Sequence, residues 1–528
     1  MIATSKAEAL EAGALILREG GSAVDAALAV ALDQCTLTGG SWNSFAGIMT
    51  LIHYRAQTGE ISALSAGYTS FGEELDPSSI PASAPSGRTA LVPAFFDGVL
   101  QAHERFGHLP LSRVAAPAIT HAEEGFIVDP IFEATVTAAG DVLQRLPETR
   151  AIFRRRDGEP YRAGDRLRQP QLAQTLRRFV AEGRGFVYEG EWARHFVEIV
   201  RREGGQVTAA DLAGYHATWT PLIRVSYRGA EIVLPGEPNR GGSTVAEAFV
   251  LADAARLAER GRWDRSGDAL YWLARVNQVS YLSGYLPLYA PAIAEALESA
   301  LVDLGWSLEA RLDPARARRM IEAIESGRWD QAVISAAQTS TLPTGHSDAI
   351  VVVDPAGNIA ALTHTINSVN WGTTGISVDG VTIPDSALVN AAALVTLGAG
   401  QRLPDPLNPL IALREGVPVL AASTVGHPHY AQLQRSHAVL ALEASPEDAI
   451  RMPPLSGAPY AESVPPGRIN GQTLAEVAAR GMTIREAQDE LGLAWIGAAR
   501  RDRDAPWEGA VEPYTTSVGG GLRLISPD

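Results

Sequence analysis

The chain of 528 residues is 46% hydrophobic and 20% charged, an ordinary globular composition with ample material for a core. A net charge of −16 and a pI near 5.2 argue against binding to a phosphate backbone, which requires clustered Lys and Arg, so nucleic acid is not an expected partner. The one cysteine, Cys35, rules out an intrachain disulfide and a multi-cysteine metal site, and within an apolar helical run it reads as a small buried hydrophobe.

No long Gly/Ser, Pro-rich or charged linker divides the chain, which implies one large unit or two intimately packed ones. The opening MIATSKAEALEAG has no basic n-region, apolar h-region or small-residue cleavage site, and nowhere do about 18 apolar residues run together. The expectation is a soluble, cytoplasmic protein without membrane association.

Leu10, Ala14 and Leu17 recur at helical spacing, and Gly20-Gly21 ends that helix. Ser22 with Asp25 three residues on reads as a capping box for a second helix, AVDAALAVALDQC, apolar nearly all round and therefore buried. After the glycine-rich TGGSWNSFAG, the runs Ile48 to Tyr54 and Glu60 to Leu64 read as a hairpin. From Ala94 to about Leu312 helical patterns dominate, among them FFDGVLQAHERFG, STVAEAFVLADAARLAERG and DALYWLARVNQVSYLSGY, with a hairpin at Val225 to Leu234. QAVISAAQTSTLPTGH has no amphipathic period and reads as a mobile connector. Beyond it the chain is β-rich: a hairpin of Ala349 to Val353 and Ile359 to Ile366 about the turn Asp354 to Asn358, then GISVDGVTI, LIALREGVPVLAAS and SVGGGLRLIS. Strands at both ends with helices between predict two sheets covered by helical layers, an α+β fold of the αββα sandwich type.

Ser347 opens the first strand of that late hairpin, behind polar, flexible residues. It suits a self-cleaving N-terminal nucleophile, although a surface serine before an ordinary strand would look the same. EAGALILREGGSAVDAALAVAL, HERFGHLPLSRVAAPAITHAEEGF, GGQVTAADLAGYHATW and SDAIVVVDPAGNIAALTHTIN decide between them. In this order and roughly at this spacing they resemble the gamma-glutamyltransferase family of N-terminal nucleophile (Ntn) hydrolases over nearly the whole chain. The resemblance implies a four-layer αββα fold and autocatalytic cleavage into a large subunit, 1–346, and a small one, 347–528, which stay together as a heterodimer, sometimes paired again.

The family's nucleophile lies seven residues before the aspartate of the hairpin turn, a count back from Asp354 that reaches Ser347, with Thr344 as runner-up. Cleavage between His346 and Ser347 would free an α-amine that serves as general base for the Ser347 hydroxyl, so no histidine or carboxylate base is required. Thr365 and Asn367 match the family's Thr-x-Asn, positions that hold nucleophile and substrate. Gly426 keeps the first glycine of the family's oxyanion-hole pair and His427 replaces the second, which preserves a backbone N–H donor. No cofactor is implied. His427 and His429, two apart beside Pro428, lack a metal-ligand spacing, and Gly39-Gly40 and Gly241-Gly242 lack the phosphate-loop spacing and read as turns or helix starts near a pocket.

Three departures bear on substrate. Where the family has an arginine that clamps the α-carboxylate of a gamma-glutamyl group, this chain has Ser65-Ala66-Gly67-Tyr68. The acidic residue that would hold the α-amine should fall near Leu388-Val389, where PDSALVNA offers no clear match, and the family's paired serines appear as Asp405-Pro406. Gly67, Tyr68, Leu388 and Asp405 are thus the expected substrate-binding positions of a pocket unsuited to a gamma-glutamyl donor. Asp405 would suit a substrate with an amine or another donor, or would simply start a proline turn. The chemistry left open is amide hydrolysis, as in acylases, or hydrolytic C–C cleavage in secondary-metabolite (antibiotic) biosynthesis; a non-catalytic homologue that binds a small molecule or partner is the alternative from another class.

Overall fold

The computed structural model describes residues 1–336, 347–368, 370–425, 428–457, 461–487, 494–512 and 521–523. Contacts divide the chain into two units, Met1–Thr220 with Thr344–Asp405 and Pro513–Asp528, and Pro221–Pro343 with Pro406–Glu512.

The first unit is built on an antiparallel sheet of seven described strands in the order Gly521–Arg523, Ile2–Thr4, Asp348–Val353, Ile359–Thr365, Ile48–Arg55, Glu60–Ala66 and Thr218–Thr220. The hairpin of Asp348–Val353 and Ile359–Thr365 lies inside it, buried along its whole length. Continuous Val, Ile, Leu and Ala runs are what a strand covered on both faces needs. The helix Ala23–Leu37 lies against both strands of this hairpin. Its capping box is formed as expected, with Ser22 accepting from the Asp25 amide at 3.0 Å and Asp25 from the Ser22 amide at 2.9 Å, and all its residues are buried. A second helix, Phe95–Phe106, covers Ile48–Arg55 and Glu60–Ala66.

The second unit has a six-stranded antiparallel sheet ordered Glu508–Val511, Ala494–Ala499, Val417–Val425, Leu410–Arg414, Ala230–Pro235 and Leu222–Tyr227. The helices Arg240–Ala254 and Pro428–Ala441 pack on it and Gly267–Tyr289 packs on both helices. Trp263, Trp272, Trp329 and Trp495 are fully buried in its core. Each such aromatic removes roughly 150–250 Å² from water, so few are needed to hold a large core.

Each unit therefore supplies one sheet and its helices, in keeping with the expected two-sheet, helix-covered fold. The expected cleavage boundary at 346/347 falls within the first unit, whose sheet takes strands from both sides of it. The stretch read as a connector is in part helical: Arg328–Ala336 is a helix in which Trp329, Ala332 and Val333 are buried. Periodicity missed it because its apolar face is short and flanked by small residues. The short strands Ile2–Thr4 and Thr218–Thr220 also escaped pattern reading, since three residues carry no alternation.

Candidate active site

Ser347 immediately precedes the Asp348–Val353 strand and is 8% exposed. Asp348 pairs with His364 on the neighbouring strand, so the next rung of the ladder sets Ser347 opposite Thr365. Among the described residues, three side chains anchor Asp348. Trp42 Nε1 donates to Oδ2 at 3.1 Å, Asn43 Nδ2 donates to the same oxygen, and Ser5 donates to Oδ1. Burial pushes the Asp348 carboxyl up to about 6, against the pull of these donors. Asn43 is in turn held by the Thr38 hydroxyl, which donates to its Oδ1 at 2.7 Å.

A second chain of polar contacts runs beneath the strand. Gln34 Nε2 donates to Thr4 Oγ1 at 2.9 Å and to Ser5 Oγ at 3.1 Å, and its Oε1 accepts from His364 Nε2 at 2.9 Å. The amide oxygen can only accept, which assigns the His364 proton to Nε2 and leaves Nδ1 facing Cys35 Sγ at 3.7 Å. Burial pushes His364 down to about 3, so the ring is neutral. Burial, reinforced by Asp348, raises the Cys35 thiol well above its ordinary value. Cys35 is thus a protonated core residue, as its sequence setting implied.

Thr365 and its loop are fixed with equal care. The Asn367 amide donates to Thr365 Oγ1 at 3.0 Å, and Asn367 is half-buried with φ +55°, a left-handed conformation that asparagine tolerates better than most residues. The Ile366 amide donates to the Trp42 carbonyl at 3.0 Å. The hydroxyls of Tyr68 and Ser386 lie 3.3 and 2.6 Å from the Ile366 carbonyl and 3.0 Å from each other. Gly47 lets this arrangement close: a Cβ there would stand 2.5 Å from the Thr365 carbonyl oxygen.

The expected substrate positions divide. Tyr68 is buried and spent on the Thr365–Asn367 backbone, with burial raising its phenol so that it stays protonated. The Gly67 carbonyl accepts from Tyr215 Oη at 2.8 Å and Arg402 Nη1 at 2.6 Å. Asp405, 2% exposed, accepts from Thr50 Oγ1 at 3.1 Å and Ser65 Oγ at 2.5 Å, so it ties two strands to the segment that follows Arg402. Leu388 is half-buried in the short helix Ser386–Val389 and donates its amide to the Asp385 carbonyl at 2.9 Å. Asp385 is buried and accepts from Ser368 Oγ at 2.5 Å and from the amide and hydroxyl of Thr373 at 2.8 and 3.0 Å. Sequence reasoning did not single out Asp385, for which the Pro-Asp step of TIPDSAL was the available signal. His346, Gly426 and His427 lie outside the described residues. Trp42, Asn43, Gln34 and His364 were also missed; SWNS, a tryptophan among small polar residues between apolar runs, was the available clue. Among the described residues no three His, Cys, Asp or Glu side chains are grouped as metal ligands.

The gamma-glutamyltranspeptidase family profile matches residues 9–521. The chain is 28% identical over 436 residues to the acylase ACY 1 proenzyme of Pseudomonas sp. (strain SE83), covering 79% of this chain and 74% of that one. It is 28% identical over 450 residues to the glutathione hydrolase proenzyme of Escherichia coli (strain K12), covering 81% and 75%. In fold it is similar to the crystal structure of cephalosporin acylase from Bacillus halodurans, with TM-score 0.79, 20% identity and coverage of 100% and 96%. The gamma-glutamyltranspeptidase of Helicobacter pylori matches with TM-score 0.51 at 22% identity, over 64% of this chain and 91% of that one. The fold is that of the Ntn hydrolases, and the chain belongs to the gamma-glutamyltranspeptidase family as one of its hydrolases.

Proposed function

We propose that this protein is an autoprocessed amide hydrolase, an acylase whose N-terminal nucleophile is Ser347 and whose substrate is not a gamma-glutamyl compound. The observation that carries the proposal is the placement of Ser347, buried at the head of a central strand whose first residue is anchored by three side chains. An attacking oxygen must be held within a few tenths of an ångström, and a strand inside a sheet holds it better than a loop does.

In this reading cleavage of the His346–Ser347 bond frees the Ser347 amine and yields two chains that remain associated. The amine takes the hydroxyl proton as Oγ attacks the substrate carbonyl, and the tetrahedral oxyanion is met by the backbone amides of Gly426 and His427. Collapse expels the protonated amine, leaving an ester on Ser347 that water hydrolyses by the same steps. Thr365 and Asn367 fix the geometry of the nucleophile and of the bound substrate. The acylase ACY 1 proenzyme relative supports an amide bond as the target. The charge-poor stretch Ser65 to Tyr68, with Asp405 already engaged by Thr50 and Ser65, supports an acyl group without an amino-acid head. A neutral acyl group would also suit the second reading, C–C hydrolysis of a secondary metabolite with a stabilised carbanion as leaving group.

Intact mass spectrometry of the purified protein, before and after incubation with acyl donors, tests the proposal. Two chains are expected, the smaller beginning at Ser347, with an acyl adduct from aliphatic or aromatic amides and none from a gamma-glutamyl anilide. Adducts from β-diketones but not from amides would replace the first reading by the second. An uncut chain with full activity, or uncut protein that binds metabolites without turnover, would refute both.

A further inference from the structure

We propose that Arg240, at the head of the helix Arg240–Ala254, is the anion-recognising residue of a site in the second unit that binds the carboxylate of a small organic acid. Its guanidinium carbon lies 5.8 Å from the ring centroid of Tyr285 and 5.9 Å from that of Tyr289. These two rings belong to a ladder along one side of the helix Gly267–Tyr289: Tyr281 and Tyr285 stack at 4.5 Å, Tyr285 and Tyr289 at 6.0 Å. Contact with both ring faces holds the guanidinium in place beside the ladder. Nη1 is buried and has no acceptor among the described residues, and Arg240 forms no ion pair there.

The surroundings add to the demand for negative charge. Arg311 Nε and Arg316 Nη1 share Glu247, at 2.7 and 2.8 Å, so two guanidinium groups divide a single buried carboxylate. Arg311 Nη2 and Arg316 Nε and Nη2 are likewise buried without an acceptor among the described residues. Glu237, which also acts on Arg240, is exposed. Burial holds the Arg240 pKa below the usual guanidinium range, and Arg311 acts in the same direction, as expected of a charge in a positive, poorly solvated setting. A buried, unpaired guanidinium donor is costly, and a carboxylate relieves that cost while matching the donor fork in shape.

Arg240 is also preorganised. The Asn239 side chain accepts from the Gly242 amide at 2.6 Å, and a Cβ on Gly241 or Gly242 would stand 2.1 Å from the Pro406 oxygen or 1.9 Å from the Pro235 oxygen. The backbone on either side of the arginine is therefore pinned by contacts that admit only glycine.

Isothermal titration calorimetry of the full chain with phenylacetate, and with its neutral isostere phenylacetamide, tests the inference without requiring turnover, so its failure is separable from that of the hydrolase reading. Saturable binding of phenylacetate is expected, weakening as salt is raised, with the amide at least about tenfold weaker. Arg240→Gln should lose at least about tenfold in phenylacetate affinity, and Arg240→Lys, which keeps charge but not the fork, should fall between. Circular dichroism and thermal midpoints establish that each variant is folded; were Arg240→Gln not to fold, Arg240→Lys and the acid-to-amide ratio would carry the test. Absence of saturable binding, equal binding of acid and amide, or unchanged phenylacetate affinity in the variants would overturn the inference. A lower thermal midpoint in Arg240→Gln with unchanged affinity would show a packing role only, and would overturn it too.

Discussion

Replacing Asp348 by asparagine isolates the carboxylate that anchors the strand behind Ser347. Burial raises its folded-state pKa to about 6 from an ordinary value of 3.8, so the folded chain holds this proton more tightly than the unfolded chain does. The wild-type side chain is therefore relatively more stabilising at acid pH, and that contribution is lost as pH rises through about 6. Between pH 8 and pH 5 the folded carboxyl becomes mostly protonated and the unfolded one stays ionised, a linkage of about 1.4 kcal/mol. Asparagine cannot titrate and has no such slope. The expected outcome is that Asp348→Asn loses about 1.4 kcal/mol more, relative to wild type, at pH 5 than at pH 8. Urea unfolding at both pH values, in a Ser347→Ala background that keeps the two chains of the comparison uncut, measures this difference. Equal differences at the two pH values, or a larger loss at pH 8, would refute the assignment of a raised, buried carboxyl at the foot of the strand. At neutral pH asparagine can leave its oxygen to Trp42 and Asn43, but its NH2 then faces the Ser5 hydroxyl that donates to the wild-type carboxylate, so slower self-cleavage is expected in the single variant, followed by gel.

Other outcomes follow from the same geometry. Ser347→Ala should remain full length on a denaturing gel and show no acyl adduct, while its thermal midpoint stays within a few degrees of wild type, since the change removes one hydroxyl from a buried position. Gly47→Ala places a Cβ 2.5 Å from the Thr365 carbonyl, which cannot be accommodated without moving the strand end. A loss of about 1–3 kcal/mol and impaired processing are expected, by chemical denaturation and gel. His53, His364 and His437 are held neutral by burial, at about 3, 3 and 4. Their contribution is complete above pH 6.5 and falls as pH drops towards those values, by about 2 kcal/mol each at pH 5. Asp348 returns only about 1.4 kcal/mol of this, so net acid lability between pH 7 and 5 should appear in thermal midpoints.

Much of the frame was legible because it rests on local rules. Ser22 and Asp25 announce a capping box, a helix apolar all round announces burial, and the two apolar runs about Asp354–Asn358 announce the hairpin that carries Ser347. What was not legible depends on contacts between residues hundreds apart in sequence. Nothing near Trp42 and Asn43 says that they will meet Asp348, and nothing near Gln34 says that it will set the His364 tautomer. Likewise nothing near Asp385 says that it will hold Ser368 and Thr373.

Asp348 and Asp405 show how the same residue type serves opposite ends in one sheet. Both are buried carboxylates that accept from fixed hydroxyl or ring donors. A buried carboxylate is costly unless its oxygens are met by fixed donors, as those of both residues are. At Asp348 that cost holds the residue after Ser347 still. At Asp405 it joins Ser65 and Thr50. In the proposed reading Asp405, already holding Thr50 and Ser65, serves as a tie between strands and not as the receptor of a substrate amine.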